Sequence, residues 1–387
     1  KTEKVVLLID EYDKPIVDYF NNVKKATANR EVLKTFYNTI KSCDKYIHFA
    51  FLTGVSKFSK VSIFSTLNNI TDITLDEKYS KIVGITEEEL YANFEDRIKI
   101  FADIKNKSVE KVKKELKDWY NGFSWDGKNF LYNPYSLLLL FSKNVFDNYW
   151  FESGTPTFFV DFIKKYKIDI KDIENCVLSR DKFEFFDIEK INPYAVFFQT
   201  GYLTIKKIKE YEDYAREYTL SYPNKEVKDS ILKYFLLDIV DQDVDSSIII
   251  NRIKESLRNK DLDSFFRYLI SLFDSIPYQI APKKKSKTYD KEAYYHSIFH
   301  VIFTLIGLRI DSEVSVSSGR VDSVVETDDT VYIFEFKLET NQQNAIGQIM
   351  DKKYYSKYSQ SKKEIVLVGV IFDMKIKNIK GWEIVKI

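Results

Sequence analysis

The hydrophobic pattern at the start of the chain is typical of a parallel α/β sheet. Val5–Ile9 is a short run of valine, leucine and isoleucine that ends at Asp10 and Glu11, the pattern of a strand buried on both faces. Tyr46–Thr53 has the same character, and the helix-like segment Glu31–Cys43 lies between the two runs. Because a strand, a crossover helix and a second strand form a parallel pair, we predict an α/β module here.

Helical periodicity dominates the middle of the chain. Thr86–Phe101 and Ser108–Tyr120 repeat apolar residues at helical spacing, and the first begins with Thr-Glu-Glu-Glu, a capping-box pattern. Leu203–Ile208 and Glu217–Leu220 are strand-like runs that we predict to form a small wing. Lys225–Phe273 is again amphipathic and helical.

A polar segment separates the last part of the chain from the rest. Residues 282–287 have the sequence Pro-Lys-Lys-Lys-Ser-Lys, which is typical of a linker. The pattern that follows predicts one compact α/β domain. Its predicted elements are a helix over Lys291–Gly307, strands over Ser312–Val316, Arg320–Glu326 and Thr330–Leu338, a helix over Asn344–Tyr358 and a strand over Glu364–Phe372.

Composition excludes several classes of protein. Hydrophobic residues make up 44% of the 387 residues, too many for a disordered chain. The net charge is +1, so a nucleic-acid site must be a local patch. The two cysteines exclude a disulfide scaffold and a cysteine-ligated metal site and fit a reducing compartment, so we expect a cytoplasmic protein. The three histidines leave little for a metal site built from imidazole ligands. The longest apolar stretch, near Ser297–Leu308, is shorter than the roughly 20 residues of a membrane helix, so we predict no membrane span.

Charged residues on the predicted strands of the last domain form the candidate active site. Residues two apart on a strand share a face, so Glu335 and Lys337 point the same way and the phenylalanines beside them point to the opposite layer. Asp322, on the preceding strand of a hairpin, can come to the same surface. Carboxylates bind Mg²⁺ together with waters and phosphate oxygens, so Asp322 and Glu335 are candidate metal ligands. Lys337 would help to deprotonate or orient the attacking water and neutralise charge in the transition state. Glu292, on the first helix, would add a third carboxylate.

Two further sets of polar residues have helical spacing. Gln348, Lys352 and Tyr355 are spaced i, i+4, i+7 and share one face of the predicted helix. Phosphate contacts and a solvated helix surface explain this face equally well. His296 and His300 are four residues apart but lack the intervening glutamate of a zinc-protease helix. We assign His296 a packing or substrate-contact role and His300 a core or surface role.

These elements resemble the PD-(D/E)XK restriction-endonuclease-like fold, in particular the small nuclease domain attached to bacterial AAA-ATPase-like proteins. Four segments carry the resemblance: Glu292–His296, Gly319–Asp322, Ile333–Lys337 and Gln348–Tyr355. The proline expected before the motif aspartate is replaced by Val321. The resemblance implies a nuclease that uses Mg²⁺ or Mn²⁺ and acts on nucleic acid, with DNA as the expected partner. The candidate site then comprises Asp322, Glu335, Lys337, Glu292 and Gln348 as catalytic residues and His296, Lys352 and Tyr355 as substrate-binding residues.

The first half of the chain resembles the AAA-ATPase-like family. Val5–Ile9 followed by Asp10 and Glu11 has the form of a Walker B element, in which the aspartate holds Mg²⁺ through water and the glutamate orients the hydrolytic water. Six further motifs and the motif around Asp10 carry the resemblance: Asp10–Pro15, Leu52–Lys57, Ser62–Asn69, Trp119–Phe123, Tyr132–Ser136, Tyr149–Pro156 and Phe198–Leu203. The resemblance implies Asp10 and Glu11 as Walker B residues and Thr53 or Ser56 as the polar sensor.

We expect the nucleotide site of this module to be incomplete. Family members carry a phosphate-binding loop upstream of Walker B, and we expect that loop to precede Lys1. ATP is therefore a ligand of the family that we expect this chain neither to bind tightly nor to hydrolyse. Gly122–Asn129 fits the spacing G-x-x-x-x-G-K, but it follows a helix and has Asn129 where Mg²⁺ needs a hydroxyl, so we predict a structural turn.

The predicted fold class is α/β multidomain: a partial P-loop-type parallel α/β module with helical and winged-helix-like segments, followed by a restriction-endonuclease-like α/β domain. The predicted domains are a truncated AAA-ATPase-like core at 1–85, a helical lid-like region at 86–165, a winged-helix-like and helical region at 166–280 and a PD-(D/E)XK nuclease-like domain at 288–387. The leading hypothesis is a Mg²⁺-dependent nuclease that cleaves phosphodiester bonds, coupled to an ATPase-like regulatory module that is incomplete in this chain. The alternative is a non-cleaving nucleic-acid-binding or regulatory protein with an endonuclease-like fold.

Overall fold

The computed structural model is a mixed α/β structure that divides into two compact units. It describes residues 3–19, 22–55, 69–153, 157–166, 168, 170–184, 192–240, 245–276, 289–306, 309–316, 319–338, 345–359, 362–373 and 375–387. The first unit comprises Lys1–Ile168 with Asp172–Lys228, and the second comprises Asp169–Lys171 with Asp229–Ile387. None of the helices in the described ranges is both long and apolar enough to cross a membrane.

The first unit combines short sheets with helices. Its strands are β1 (Val5–Ile9), β2 (Ile47–Leu52), β3 (Asn121–Phe123), β4 (Leu131–Tyr132), β5 (Cys176–Ser179), β6 (Thr204–Glu210) and β7 (Arg216–Ser221). Its helices are α1 (Lys14–Val17), α2 (Val23–Ser42), α3 (Glu87–Lys105), α4 (Val109–Tyr120), α5 (Pro134–Lys143), α6 (Thr157–Tyr166), α7 (Arg180–Glu184) and α8 (Pro193–Gln199). Helix α9 (Lys225–Ile239) begins in this unit and continues into the second.

The predicted parallel pair at the start of the chain is confirmed, but the predicted burial of its first strand is wrong. β1 pairs with β2 in parallel, and α2 lies between them in sequence. Val5 is 57% exposed and Leu8 is 69% exposed. Among the described residues β1 and β2 form a sheet of two strands, and such a small sheet leaves apolar side chains without a covering layer.

The helical core of the first unit follows the predicted periodicity. Helix α3 begins with a capping box in which Thr86 and Glu89 bond each other's backbone N–H groups, and Ser108 caps α4. A cluster of apolar side chains from α3, α4 and α5 is buried together: Leu90, Ile98, Phe101, Val112, Leu116, Tyr120, Leu137 and Leu140. Apolar residues at helical spacing therefore face this core, as predicted.

The segment that fits the spacing of a phosphate loop is a turn between β3 and β4. Asp126 accepts hydrogen bonds from the backbone N–H groups of Lys128 at 2.9 Å and Asn129 at 2.8 Å, and the Ser124 hydroxyl accepts one from the Gly127 N–H at 2.9 Å. Asp and Ser side chains commonly close turns in this way. The prediction of a structural turn is confirmed.

The predicted pair of strands near residue 210 is also observed. β6 and β7 form an antiparallel hairpin, and β5 joins the other edge of β7. β5 is four residues long and lies far from the hairpin in sequence, so local pattern could not identify its pairing. The winged-helix-like assignment of this region stays a prediction.

The second unit is built on a five-stranded sheet with helices on both sides. Its helices after α9 are α10 (Ser246–Arg258), α11 (Leu262–Asp274), α12 (Tyr289–Ile306) and α13 (Ala345–Asp351). Its strands are β8 (Arg309–Val316), β9 (Gly319–Glu326), β10 (Thr330–Leu338), β11 (Glu364–Asp373) and β12 (Asn378–Lys386). The strand order is β12-β11-β10-β9-β8. In this order β10 is the central strand. β10 and β11 are parallel, and the other neighbouring strands are antiparallel.

Two features of this unit differ from the prediction. The sequence pattern does not predict β12, because its lysines and Gly381 interrupt the apolar pattern of an edge strand. The predicted continuous helix over Asn344–Tyr358 is wrong, because α13 ends at Asp351 and a short 3₁₀ helix follows at Tyr354–Tyr358. Ile349 and Tyr354 are both fully buried, yet five residues of α-helix would turn them about 140° apart. The left-handed backbone of Lys353 (φ 48°) breaks the helix between them.

An aromatic layer joins the sheet to the helices on one face. Phe336 stacks on Phe299 of α12 with ring centroids 4.1 Å apart, and Trp382 of β12 stacks on Phe266 of α11 at 4.2 Å. The Tyr332 hydroxyl donates a hydrogen bond to the carbonyl of Leu257 in α10 at 3.0 Å. Helices α10 and α11 therefore share one core with the sheet. The predicted linker at 282–287 lies outside the described residues, and the division into four domains stays a prediction.

The shared core makes a prediction about truncation. A fragment that starts at residue 245 keeps α10 and α11 and should unfold cooperatively, whereas a fragment that starts at residue 289 should lose its near-ultraviolet circular dichroism. The shorter fragment loses the packing of Phe265 and Phe266, each of which is worth roughly 3 kcal/mol or more. Equal melting temperatures for the two fragments would contradict this account.

A buried carboxylate in the first unit predicts a pH-dependent stability. Glu226 is fully buried and accepts a hydrogen bond from the Trp150 N–H at 2.9 Å. Burial raises the pKa of Glu226 to about 7. The folded state therefore holds a proton that the unfolded state releases near its ordinary pKa, so this group makes folding less favourable as pH rises towards 7.

Replacement of Glu226 by glutamine should remove this pH dependence. The melting temperature of Glu226→Gln relative to the wild type should rise between pH 5 and pH 8, with a difference in unfolding free energy of up to roughly 3 kcal/mol. Glu212→Gln, at an exposed glutamate of the same unit, is the control and should follow the wild type. Parallel profiles for Glu226→Gln and the wild type would refute the assignment.

Candidate active site

Glu335 and Lys337 form a buried ion pair on the central strand of the second unit. Lys337 Nζ lies 3.1 Å from Glu335 Oε1, and the two side chains are 17% and 2% exposed respectively. Phe334 and Phe336, which alternate with them, lie in the aromatic layer on the opposite face. The predicted shared face of Glu335 and Lys337 is confirmed.

The burial of Glu335 determines what this pair can do. Removing a carboxylate from water costs several kcal/mol, and nearby cations must offset that cost. Lys337 supplies one positive charge. In a site with little water, electrostatic attraction is stronger than at the surface, so the Glu335 carboxylate is suited to binding a further cation and Lys337 to binding an anionic oxygen.

A glycine on the neighbouring strand shapes the site beside Glu335. Gly369 of β11 is the register partner of Glu335. A Cβ at this position would lie 2.9 Å from the Cβ of Ala345 and 3.1 Å from the backbone nitrogen of Ile346, at the start of α13. The missing side chain lets α13 approach the sheet closely next to Glu335. Gln348 lies on the same helix and is partly exposed.

The backbone register brings the predicted aspartate next to this pair. β9 and β10 are antiparallel, and Phe334 lies opposite Ser323. Continuing this register by one residue brings the backbone of Asp322 on β9 opposite that of Glu335 on β10. The Asp322 side chain lies outside the described residues, and the predicted approach of the two carboxylates stays a prediction. Among the side chains that the structure describes, no group of three or more His, Cys, Asp or Glu residues could hold a metal ion.

The remaining predicted residues of this domain occupy different positions. Glu292 and His296 lie on α12, and their side chains are outside the described set. Lys352 follows the end of α13 and is exposed, with Nζ 5.7 Å from the Tyr354 ring. Tyr355 is half-buried and packs against the apolar cluster under α13. Because the helix ends at Asp351, Gln348, Lys352 and Tyr355 do not share one helix face, contrary to the prediction.

The predicted nucleotide-site residues of the first unit lie together at one end of the β1–β2 sheet. The Thr53 hydroxyl donates a hydrogen bond to Asp10 Oδ1, and the Glu11 N–H donates one to the same oxygen at 3.0 Å. The Thr53 N–H also bonds the carbonyl of Ile9 at 2.9 Å. Parallel strands bring their carboxyl ends to the same edge of a sheet, which is why residues 43 positions apart meet. Ser56, the alternative sensor, lies outside the described residues.

Two residues near these sites are not identified from the sequence. Asp13 is fully buried and accepts a hydrogen bond from the Val55 N–H at 3.1 Å, so it fixes the loop that follows Thr53. Its only signal in the sequence is that it is the second aspartate of Asp-Glu-Tyr-Asp. Gly369 could have been suspected because a glycine within an apolar strand often marks a close approach of backbone.

Comparison with known proteins gives matches at both ends of the chain. Residues 290–382 match the PD-(D/E)XK nuclease superfamily, and residues 1–64 match a family described as a predicted AAA-ATPase. An uncharacterized protein in the vnfD 5′ region of Azotobacter chroococcum mcd 1 is 36% identical over 382 residues, which cover 98% of this chain and 71% of that protein. No solved structure matches the chain.

The close approach at Gly369 predicts a specific steric effect. Gly369→Ala should lower the unfolding free energy by about 1–3 kcal/mol, because its new methyl group must displace the start of α13. Gly381→Ala on β12 is the matched control, since no atom lies within 4 Å of a Cβ there. Denaturant unfolding of both variants measures the difference, and equal midpoints would contradict the proposed packing.

Proposed function

The chain belongs to the family of AAA-ATPase-like proteins that carry a C-terminal PD-(D/E)XK nuclease-superfamily domain, and on this basis we propose that it is a metal-dependent nuclease. The single observation that supports this most directly is the Glu335–Lys337 pair, buried at 3.1 Å on the central strand. This pair lies on β10, within the residues that match the nuclease superfamily. Stability alone hardly explains it, because a well-packed apolar pair would cost less free energy to bury.

The residues present fit a divalent cation such as Mg²⁺ or Mn²⁺. Glu335 offers carboxylate oxygens that are buried from solvent. Asp322 is the residue before Ser323 on the neighbouring strand β9, and Ser323 pairs with Phe334. Hard cations of this type prefer such oxygen ligands. When bound, the cation would lower the pKa of a water and offset negative charge on the scissile phosphate. In this proposal Asp322 and Glu335 hold the cation with their carboxylates about 4–6 Å apart, and Glu292 is a third candidate ligand.

The other side chains of the site have separate roles in this proposal. Lys337 positions the attacking water and stabilises charge that develops on the phosphate oxygens. Gln348 lies on α13, the helix that packs closely against Gly369. In this proposal it helps to orient the water or the phosphate. His296 on α12, Lys352 in the turn after α13 and Tyr355 in the following 3₁₀ helix are candidate substrate contacts. The substrate is nucleic acid, with DNA as the first choice.

The first unit adds a regulatory part to the proposal. Asp10, Glu11 and Thr53 lie together at the carboxyl end of two parallel strands, which is the position of ligand sites in open α/β sheets. We infer that this module couples nucleotide state to cleavage.

A cleavage assay on single- and double-stranded DNA and RNA tests the proposal. With Mg²⁺ or Mn²⁺, the wild type should cut at least one of these substrates, and EDTA should stop it. Glu335→Gln should lose about 100-fold or more of the rate, because the isosteric amide cannot hold the cation. Lys337→Met should lose a similar factor while metal binding, measured by calorimetry, stays intact.

The matched control is Glu326→Gln, which removes a carboxylate that pairs with Lys363 at 3.3 Å on the same sheet. This variant should cut like the wild type. Asp322→Asn combined with Glu335→Gln should be no slower than either single variant, because the two carboxylates act as one unit. Unchanged metal-dependent cleavage by Glu335→Gln would refute the proposal. Tight nucleic-acid binding without cleavage under all of these conditions would favour the non-cleaving alternative.

A further inference from the structure

The segment that connects α13 to β11 carries a local excess of positive charge. Residues 352–363 contain five lysines and no aspartate or glutamate, in a chain whose net charge is +1. We call these residues the basic segment. Its described part comprises residues 352–359 and 362–363 and includes the 3₁₀ helix Tyr354–Tyr358. A cluster of one sign in a nearly neutral protein creates a local positive potential.

Most of this charge is not neutralised by carboxylates of the described residues. Glu326 pairs with Lys363 at 3.3 Å, and Glu364, which follows the segment, pairs with Lys260 at 2.9 Å. Three lysines of the segment are exposed and form no ion pair among the residues that the structure describes: Lys353, Lys357 and Lys362. Their ammonium groups are therefore available to an anionic partner in solution.

Two buried tyrosines hold the basic segment against the sheet. Tyr354 is fully buried and Tyr358 is 8% exposed. Both belong to the apolar cluster that includes Val331 and Ile333 of β10. The residue before each tyrosine is one of the exposed lysines. The lysine backbones are therefore fixed by packing.

The same packing places the basic segment on the face of the sheet that carries Glu335. Val331, Ile333 and Glu335 alternate along β10 and share one face. At the rise of a β-strand, the residues of β10 under the segment lie roughly 7–13 Å from Glu335 along the strand. Phosphates of one DNA strand advance by about 3.4 Å per step along the duplex axis. The interval therefore corresponds to about two to four base pairs.

The backbone of Lys353 adds an independent means of testing this lysine. Its φ is 48°, in the left-handed region, just after the end of α13. Glycine is the usual residue where a helix ends in this conformation, because it has no Cβ to crowd the backbone. Replacement by glycine therefore removes the charge without strain, and it separates a role in binding from a role in folding.

We propose that the basic segment binds the phosphate backbone of duplex DNA, with one phosphate contact each from Lys353, Lys357 and Lys362. This inference rests on the proposed function, since it seats the scissile phosphate at Glu335. Lysines contact phosphates without reading bases, so the surface contributes affinity and register but no sequence preference. A duplex is straight over this distance because its persistence length is about 50 nm. A duplex that runs along β10 from Glu335 towards the start of the strand therefore passes over the segment, whereas a flexible single strand is not held there.

Fluorescence anisotropy of a short labelled duplex tests the surface, with the full chain in EDTA so that a metal-dependent cleavage cannot occur. The variant that combines Lys353→Gly, Lys357→Gln and Lys362→Gln should bind the duplex about tenfold or more weakly than the wild type. The slope of log affinity against log salt concentration should become shallower by about 2–3. The wild type should bind a single strand of the same sequence more weakly, and the triple variant should lose less affinity for it.

Two single variants separate binding from folding and from general charge. Lys353→Gly should weaken duplex binding while its melting temperature stays equal to that of the wild type or rises. Arg267→Gln removes the same charge from an exposed position on α11, which packs on the opposite face of the sheet. This control should bind like the wild type. An equal loss of affinity in Arg267→Gln and Lys353→Gly would overturn the proposal in favour of diffuse charge attraction.

Further outcomes distinguish this inference from the proposed function. Duplex cleavage and duplex binding that the triple variant leaves unchanged would overturn the inference and leave the nuclease proposal standing. Duplex binding that depends on the segment, in a chain that never cleaves, would support the inference and refute the nuclease proposal. Equal sensitivity of single-strand binding to the triple variant would overturn the assignment to a duplex. Binding to phosphatidylserine vesicles that the triple variant loses, without any binding to the duplex, would overturn the proposal in favour of a membrane surface.

Discussion

The second unit depends on one constraint, the burial of a carboxylate in the middle of a sheet. Glu335 is 2% exposed on β10, which has hydrogen-bonded neighbours on both sides. A charge in that position is costly unless a cation lies within bonding distance. Lys337, two residues along the same strand, meets this requirement at 3.1 Å. Strand geometry allows this pairing, because residues i and i+2 share a face.

The same alternation separates chemistry from packing within one strand. The face of β10 that carries Phe334 and Phe336 contacts α11 and α12 through closely spaced aromatic rings. The opposite face carries the ion pair and is covered by α13, which Gly369 allows to approach. The aromatic face supplies apolar burial that offsets the cost of placing charges on the other. Stability and candidate chemistry are therefore properties of alternate residues of a single strand.

The first unit uses polar groups where regular backbone ends. Asp10 and Thr53 meet just beyond two parallel strands, and Asn121 lies where α4 gives way to β3. The ends of strands and helices leave backbone groups without partners in the ladder, so polar side chains there bond one another or the backbone of the following loop. Buried Asp13 shows the structural counterpart, since it bonds the backbone of the loop after Thr53.

Local sequence specifies many of the helices and strands of this protein and the shared face of residues two apart on a strand. The capping box at Thr86, the parallel pair β1–β2 and the shared face of Glu335 and Lys337 follow from spacings of a few residues or from the handedness of a crossover. The exposure of β1, the break after Asp351 and the opening at Gly369 become visible only in the folded chain. Each of these features depends on which distant part of the chain packs against the residue. The free energy of burying or crowding a side chain therefore cannot be inferred from the residues next to it in sequence.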